Sequence, residues 1–162
     1  MQKLFNITNE TDHIVKIELV NGKKHNPLSL ELIKELTNSL IQISSQKKVK
    51  VLIISSEGPG FSAGHDLDEL RKNRNNKKFF NDLFNECSNL MQTIMNLPQP
   101  VIAEVCGIAA AAGCQLVASC DLAVASEQAS FMTPGVNIGL FCSTPMVAVS
   151  RNLSRKKIME ML

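Results

Sequence analysis

The sequence predicts an α/β fold with strands and helices in alternation. At 162 residues, with 44% hydrophobic and 20% charged side chains, the chain is long enough for one core, and we predict a single domain over residues 1–162. Residues 49–54 form a nearly continuous apolar run, which is typical of a parallel strand covered on both faces. Residues 100–126 combine a strand, a turn of small residues, an apolar helix and a second buried strand. Such alternation favours right-handed crossovers and a parallel sheet.

The elements of the first half follow from local pattern. Residues 14–20 alternate between apolar and polar side chains and predict a strand, which the turn dipeptide Asn21–Gly22 ends. Ser29 is a typical N-cap for the helix that follows. That helix has apolar positions at helical spacing: Leu32, Ile33, Leu36, Leu40 and Ile41. Residues 49–54 then supply the next strand.

The second half is predicted in the same way. A short helix over residues 67–71 and a longer one over 79–95 follow the glycine-rich loop, and the longer helix stops before Pro98. A buried strand begins at residue 100, and residues 122–125 predict another. The last helix begins near Ser154 and runs to the final residue without a terminating glycine or polar cap. From this ending we predict that the domain is truncated at its C-terminus.

Composition excludes several classes of function. A net charge of +2 gives no general indication of nucleic-acid binding, and the apolar run over 116–125 is too short to cross a bilayer. Five cysteines without a C-x-x-C pair favour a reducing compartment, and three widely spaced histidines predict no metal site. The first twelve residues are neither a presequence nor a signal peptide, so we predict a cytoplasmic protein, or a mitochondrial matrix protein if the N-terminus is incomplete. The basic run over 71–78 predicts a solvated helix end or loop, with a phosphate-binding or partner-binding patch as the alternative.

The glycine-rich loop over residues 57–66 allows four interpretations. Residues 60–64 match G-x-S-x-G, but a serine hydrolase needs a histidine base after an acid, and His65 lies too close to Ser62 to be a separate triad member. Residues 58–64 approach a dinucleotide fingerprint with one residue too many and no acidic residue at the right distance. The glycines could also simply build a tight loop. In the fourth interpretation, this loop and the small-residue turn before residue 112 supply backbone N–H groups for an oxyanion hole.

Several motifs, in the same order along the chain, resemble the crotonase superfamily, which is the enoyl-CoA hydratase/isomerase family. They are Phe-Ser-Ala-Gly-His-Asp-Leu at 61–67, Pro-Val-Ile-Ala at 100–103, Gly-Cys-Gln-Leu at 113–116 and Cys-Asp-Leu-Ala at 120–123. Within the family they are most similar to the enoyl-CoA hydratase domain-containing proteins. The resemblance implies a core of ββα units wound into a spiral. It also implies that the helical lid and trimerisation region found at the C-terminus of family members is missing from this chain.

The resemblance further implies an acyl-CoA thioester as ligand in fatty-acid metabolism. The thioester carbonyl would lie between the backbone N–H groups of His65 and Ala112. Contacts to the adenine and pantetheine of coenzyme A would come from Ala63, Leu67 and the loop of Lys23, Lys24 and His25. No cofactor is implied apart from coenzyme A as part of the substrate. Family members form homotrimers or hexamers, and no nucleic acid or membrane partner is implied.

Two positions depart from the family pattern. The family hydrates enoyl-CoA with two glutamates, and the matching residues here are Gln115 and Gly135. A general acid or base contributes roughly 10²–10⁴ in rate, so we predict a protein that binds and polarises the thioester without efficient hydration. The alternatives are a noncatalytic regulatory protein, or an enzyme using the same enolate for isomerisation, decarboxylation or thioester hydrolysis. Other candidate groups have plainer interpretations as a cap, a surface charge, a turn residue and a core thiol: Asp66, Glu104, Asn137 and Cys142.

Overall fold

The computed structural model describes residues 3–162 as two sheets and a set of helices. The strands are β1 (Phe5–Asn9), β2 (Ile14–Leu19), β3 (Val51–Ser56), β4 (Gly60–Ser62), β5 (Val101–Val105), β6 (Ile108–Ala110), β7 (Leu122–Ala125) and β8 (Ser130–Met132). The α-helices are α1 (Leu30–Ser44), α2 (Leu67–Lys72), α3 (Lys77–Asn96), α4 (Ala112–Ser119), α5 (Ser143–Ser150) and α6 (Arg155–Met161). Short 3₁₀ helices cover Gly22–Lys24 and Pro134–Ile138. Within the described residues, no helix is both long and apolar enough to cross a bilayer.

The two sheets are built from a repeated ββα unit. The larger sheet has the strand order β1-β2-β3-β5-β7, in which β1 and β2 are antiparallel and the other pairs are parallel. The smaller sheet has the order β4-β6-β8, also parallel. The first unit places both of its strands, β1 and β2, in the larger sheet, and each later unit gives one strand to each sheet before its helical segment. The predicted α/β class and the spiral of ββα units are confirmed.

The core forms where the predicted patterns place it. Val15, Ile17 and Leu19 of β2 are buried at every second position, as a strand with one covered face requires. Ser29 is the N-cap of α1, and its Oγ accepts a hydrogen bond from the N–H of Leu32 at 3.2 Å. The buried face of α1 packs against α3. These contacts bury the apolar residues of the larger sheet and of the two helices in one core.

Some local predictions are wrong. The strand over residues 122–125 was expected to be buried, yet all four residues are exposed, because β7 is the outer strand of its sheet. By contrast, the prediction that the dipeptide Asn21–Gly22 ends the strand is correct, since β2 stops at Leu19 and a 3₁₀ turn over Gly22–Lys24 follows. Strand β6 lies inside the segment expected to be only a turn, because its three residues pair with both β4 and β8.

Candidate functional site

The glycine-rich loop is anchored by the buried side chain of Asn26. Its Oδ1 accepts from the N–H of Asn21 at 2.8 Å, and its Nδ2 donates to the carbonyls of Glu57 at 2.9 Å and Gly60 at 2.8 Å. Asn26 has a φ of 49°, a left-handed conformation that asparagine tolerates better than most residues. One side chain therefore links the turn after β2 to both ends of the β3–β4 connection.

Ser62 continues this anchoring. Its Oγ donates to the carbonyl of Asn26 at 2.8 Å and accepts from the N–H of Gly64 at 3.2 Å, and the residue has no exposed surface. The N–H of Ala63 donates to the carbonyl of His25 at 2.8 Å, and the Gly64 carbonyl accepts from the N–H of Leu28 at 2.8 Å. Because both hydrogen-bonding roles of the hydroxyl are used inside the core, the geometry does not support Ser62 as a hydrolase nucleophile.

The second loop stores backbone strain at the start of α4. Ala111, the N-cap, has φ 49° and ψ −120°, a combination that a residue with a Cβ rarely adopts, and no side chain caps the helix. Ala112, the first helical residue, is 2% exposed. Among residues 3–162, no acceptor receives its N–H. A strained turn thus holds an uncapped helix N-terminus, where unpaired N–H groups and the helix dipole favour negative charge.

The two loops touch at Gly64. This residue has φ +88°, and a Cβ placed on it would lie 3.0 Å from the Ala110 carbonyl oxygen and 3.2 Å from the amide nitrogen of Ala112. The next residue, His65, also has an N–H that finds no acceptor in the described part of the chain. Because position 64 is a glycine, the two loops can approach each other this closely. The loops carry the amides of His65 and Ala112, which are the two predicted oxyanion donors.

The imidazole of His65 is packed beside its own backbone. Its Nδ1 lies 3.4 Å from the carbonyl oxygen of Leu28, and its ring meets Phe84 edge to face with centroids 5.6 Å apart. Burial lowers the pKa of His65 below its ordinary value, against a smaller opposing effect of the Leu28 carbonyl. The ring is therefore neutral at neutral pH and adds no charge next to the two amides.

A groove of about 360 Å³ opens next to these loops. It brings together four of the residues predicted to contact the ligand: Lys24, Ala63, His65 and Leu67. Lys23 is exposed but does not line the groove. His25 does not line it either, since its ring faces Gly60, where an added Cβ would lie 2.8 Å from Nδ1. The groove also contains Asp68, which was not selected from the sequence, and Arg71, the first residue of the basic run for which a phosphate-binding patch was the alternative.

The positions that match the family's glutamates are both buried. Gln115 is 6% exposed, and its Oε1 has no hydrogen-bond partner among the described residues. Gly135 lies in the 3₁₀ helix, where an added Cβ would overlap the carbonyl oxygen of Leu140 and lie 2.7 Å from Sγ of Cys142. Position 135 therefore has no room for a side chain in this loop conformation.

The other candidate groups are engaged in structural contacts or lie at the surface. Asp66 caps α2, where its Oδ1 accepts from the N–H groups of residues 68 and 69 at 2.9 and 3.2 Å. Glu104 pairs with Lys16 at 2.9 Å. Asn137 is exposed in the 3₁₀ helix, and the buried Cys142 Sγ accepts from the Gly135 N–H at 3.3 Å. None of them replaces the two glutamates in an evident way.

A second cavity, of about 710 Å³, lies on another face of α4 against β7, β8 and α6. It is lined mainly by apolar groups, among them Val117, Phe131 and Met132. Lys157 and Glu160 at its rim form an ion pair with each other at 2.9 Å. Ala112 and His65 do not line it, so it is separate from the candidate site.

Comparison with known proteins gives a consistent match. A family model described as enoyl-CoA hydratase/isomerase matches residues 9–162. The human protein named enoyl-CoA hydratase domain-containing protein 3, mitochondrial, is 53% identical over 153 residues, which are 94% of this chain and 50% of that protein. The crystal structure of human enoyl-CoA hydratase domain-containing protein 3 has a TM-score of 0.92 at 50% identity, covering 99% of this chain and 62% of that one. A Mycobacterium smegmatis enoyl-CoA hydratase structure has a TM-score of 0.94 at 42% identity, with the same two coverages. The chain spans about half the length of the curated relatives it matches.

Proposed function

The chain belongs to the enoyl-CoA hydratase/isomerase family, and from this premise we propose that it binds an acyl-CoA thioester and polarises its carbonyl without hydrating it efficiently. Its resemblance to the crotonase superfamily, and to the enoyl-CoA hydratase domain-containing proteins within it, is confirmed by the family model and the human relative. The acyl-CoA ligand, the oxyanion hole and a role in fatty-acid metabolism are parts of the proposal.

The contact between the two loops is the observation that carries this proposal. Gly64 places the His65 amide in the loop that adjoins Ala112, and neither N–H has an acceptor among residues 3–162. Two such donors match the needs of a thioester oxygen that gains negative charge, and each donor is worth about 3–4 kcal/mol when the oxyanion forms. Because the donors are main-chain groups, histidine and alanine serve as well as any residue.

The groove beside the loops supports a ligand with both apolar and phosphate parts. Ala63 and Leu67 offer exposed apolar surface, with Leu67 52% exposed. Lys24 and Arg71 offer cations for phosphate oxygens. Coenzyme A combines these chemical features, and the proposal needs no other cofactor.

Packing at position 135 argues against ordinary hydration. Gln115 has no proton to exchange at neutral pH, and Gly135 has neither a side chain nor room for one. Each missing general acid or base lowers the reaction rate by roughly 10²–10⁴-fold, so the hydration rate should fall below that of an ordinary enzyme. The second candidate function is isomerisation, decarboxylation or thioester hydrolysis, which the retained amide pair favours. A noncatalytic regulatory role is the third.

Calorimetric titration with a nonhydrolysable acyl-CoA analogue tests the proposal. Wild type should bind one equivalent, and Gly64→Ala should lose most of this affinity, because its Cβ would meet Ala110 and Ala111 at 3.0 Å. Gly139→Ala is the matched control, since Gly139 also has a positive φ, +74°, but has nothing within 4 Å. Absence of binding to the folded wild type, or equal loss in both variants, would overturn the proposal.

A panel of CoA thioesters separates the candidate functions. Product from crotonyl-CoA at about 1–10³ per second would mean an ordinary hydratase and contradict the proposal. Product from another thioester would favour an enzyme using the same enolate, and saturable binding without product would favour a regulatory protein. Assembly into trimers or hexamers and a cytoplasmic location stay predictions. The human relative is named as mitochondrial.

A further inference from the structure

The groove contains an acidic side chain between its two cations. The Oδ2 of Asp68 lies 3.6 Å from Nζ of Lys24, and its Oδ1 lies 3.8 Å from Nη1 of Arg71. All three side chains line the groove next to the two loops. A single carboxylate therefore faces both cations, with one oxygen toward each.

Both contacts are longer than ordinary hydrogen bonds between nitrogen and oxygen. The side chains of Lys24 and Asp68 are 61% exposed and that of Arg71 is 78% exposed, so water solvates all three and the pairing is weak. The ammonium and guanidinium groups keep their N–H donors available. A guanidinium group with available N–H donors can bind two oxygens of one phosphate group.

The formal charge of the groove is balanced by two carboxylates. Lys24 and Arg71 supply the positive charge, while Asp66 and Asp68 supply the negative charge. Asp66 is committed to the N-terminus of α2, where it accepts two backbone hydrogen bonds. Among residues 3–162, the carboxylate of Asp68 accepts no hydrogen bond, so it can move away from the cations without loss of a structural bond.

We propose that Asp68 is a specificity-determining residue, which weakens the binding of phosphate-bearing ligands because its carboxylate places a negative charge between Lys24 and Arg71. A phosphate group of the ligand displaces this carboxylate and takes both cations. The inference rests on the proposed function, since it assigns the phosphate end of the acyl-CoA ligand to this groove.

The expected size of the effect follows from Coulomb's law. In water, one unit charge at about 6 Å from another changes an equilibrium about threefold, so removal of the Asp68 charge should tighten binding of a doubly charged phosphate about tenfold. The same charges lie on the surface and are screened by salt. The gain should therefore shrink when the salt concentration is raised from about 0.01 M to about 1 M.

Calorimetry with free coenzyme A and with inorganic pyrophosphate tests this inference on the whole chain. Asp68→Asn should bind both probes three- to tenfold more tightly than wild type at low salt, and Asp68→Glu, which keeps the charge, should bind like wild type. Asp82→Asn is the control, because Asp82 also belongs to an exposed ion pair, 2.9 Å from Lys78, but does not line the groove. Far-UV circular dichroism verifies that each variant is folded.

The outcomes distinguish this inference from the proposed function. Tighter pyrophosphate binding by Asp68→Asn, with no binding of coenzyme A by any variant, would overturn the proposed function and leave the effect of Asp68 standing. Coenzyme A affinity of Asp68→Asn within twofold of wild type, where wild type binds it, would overturn the inference. An equal gain in Asp82→Asn would also overturn it, because the effect would then follow net charge alone.

Discussion

Replacement of Asn26 should destabilise the whole chain and disturb the candidate site together. The Asn26→Ala variant loses three hydrogen bonds, of 2.8, 2.9 and 2.8 Å, and leaves the Asn21 N–H and the Glu57 carbonyl without their partners. The Gly60 carbonyl keeps only the longer bond from Ser56 Oγ, at 3.3 Å. At about 1 kcal/mol for each bond, plus up to ~1–2 kcal/mol for alanine at φ 49°, we expect a loss of about 3–5 kcal/mol.

Urea denaturation followed by circular dichroism measures this loss, as a shift of the midpoint at constant slope. The control is Asn96→Ala, because Asn96 makes one exposed hydrogen bond to its own helix and should change stability by no more than about 0.5 kcal/mol. Asn26→Asp, which has the same shape but no amide donors, should lose nearly as much as Asn26→Ala. A cost below about 1 kcal/mol for either Asn26 variant would refute the view that this side chain holds the loops in place.

Three further predictions concern other parts of the chain. Because burial lowers the pKa of His65 in the folded state, the unfolded chain takes up a proton first, and the free energy of unfolding falls as pH drops below about 6.5. His65→Gln should flatten this part of a pH series, and an unchanged slope would contradict the assignment. Gly135→Ala should lower the free energy of unfolding, measured by urea denaturation, by about 1–3 kcal/mol, because the added methyl group overlaps the Leu140 carbonyl. A variant as stable as wild type would contradict this packing. With Ellman's reagent, the native chain should show one fast thiol, that of the exposed Cys106. Burial raises the pKa of the thiols at positions 87 and 114 to about 11 and that at position 120 to about 12, and Cys142 is buried; a fast phase that survives Cys106→Ser would refute this assignment.

Four of the five strands of the larger sheet could be predicted from sequence because they carry strong local patterns, whereas β1 was not predicted. Alternation in β2, the apolar run of β3 and the serine cap of α1 each depend on a few adjacent residues. The smaller sheet could not be predicted, because β4, β6 and β8 have three residues each and pair only with one another. Their pairing depends on the register of the stacked units, which no single segment contains. The exposure of β7 was missed for a related reason, since an apolar strand looks the same at an edge and in the middle of a sheet.

The candidate site was predictable where it depends on the backbone. Small residues before α4 and glycine at position 64 indicated two donor loops, and the structure brings these loops into contact. Contacts made by polar side chains across distant loops were missed. Asn26 was not selected from the sequence, although it joins segments more than thirty residues apart. Asp68 was not selected, because its pairing with Lys24 and Arg71 appears only when the groove is formed.

The family's chemistry has two parts, carbonyl polarisation and hydration, and they depend on different residues of this chain. Carbonyl polarisation requires two amides and the space left by Gly64, which substitutions elsewhere on the surface do not disturb. Hydration requires two carboxylates, and a single Gln115→Glu change could supply one of them on the existing helix. The other has no room, because a side chain at position 135 meets the Leu140 carbonyl and Cys142 Sγ. A glutamate there would first need a different path for residues 135–142, so single substitutions at this pair should not bring hydration back.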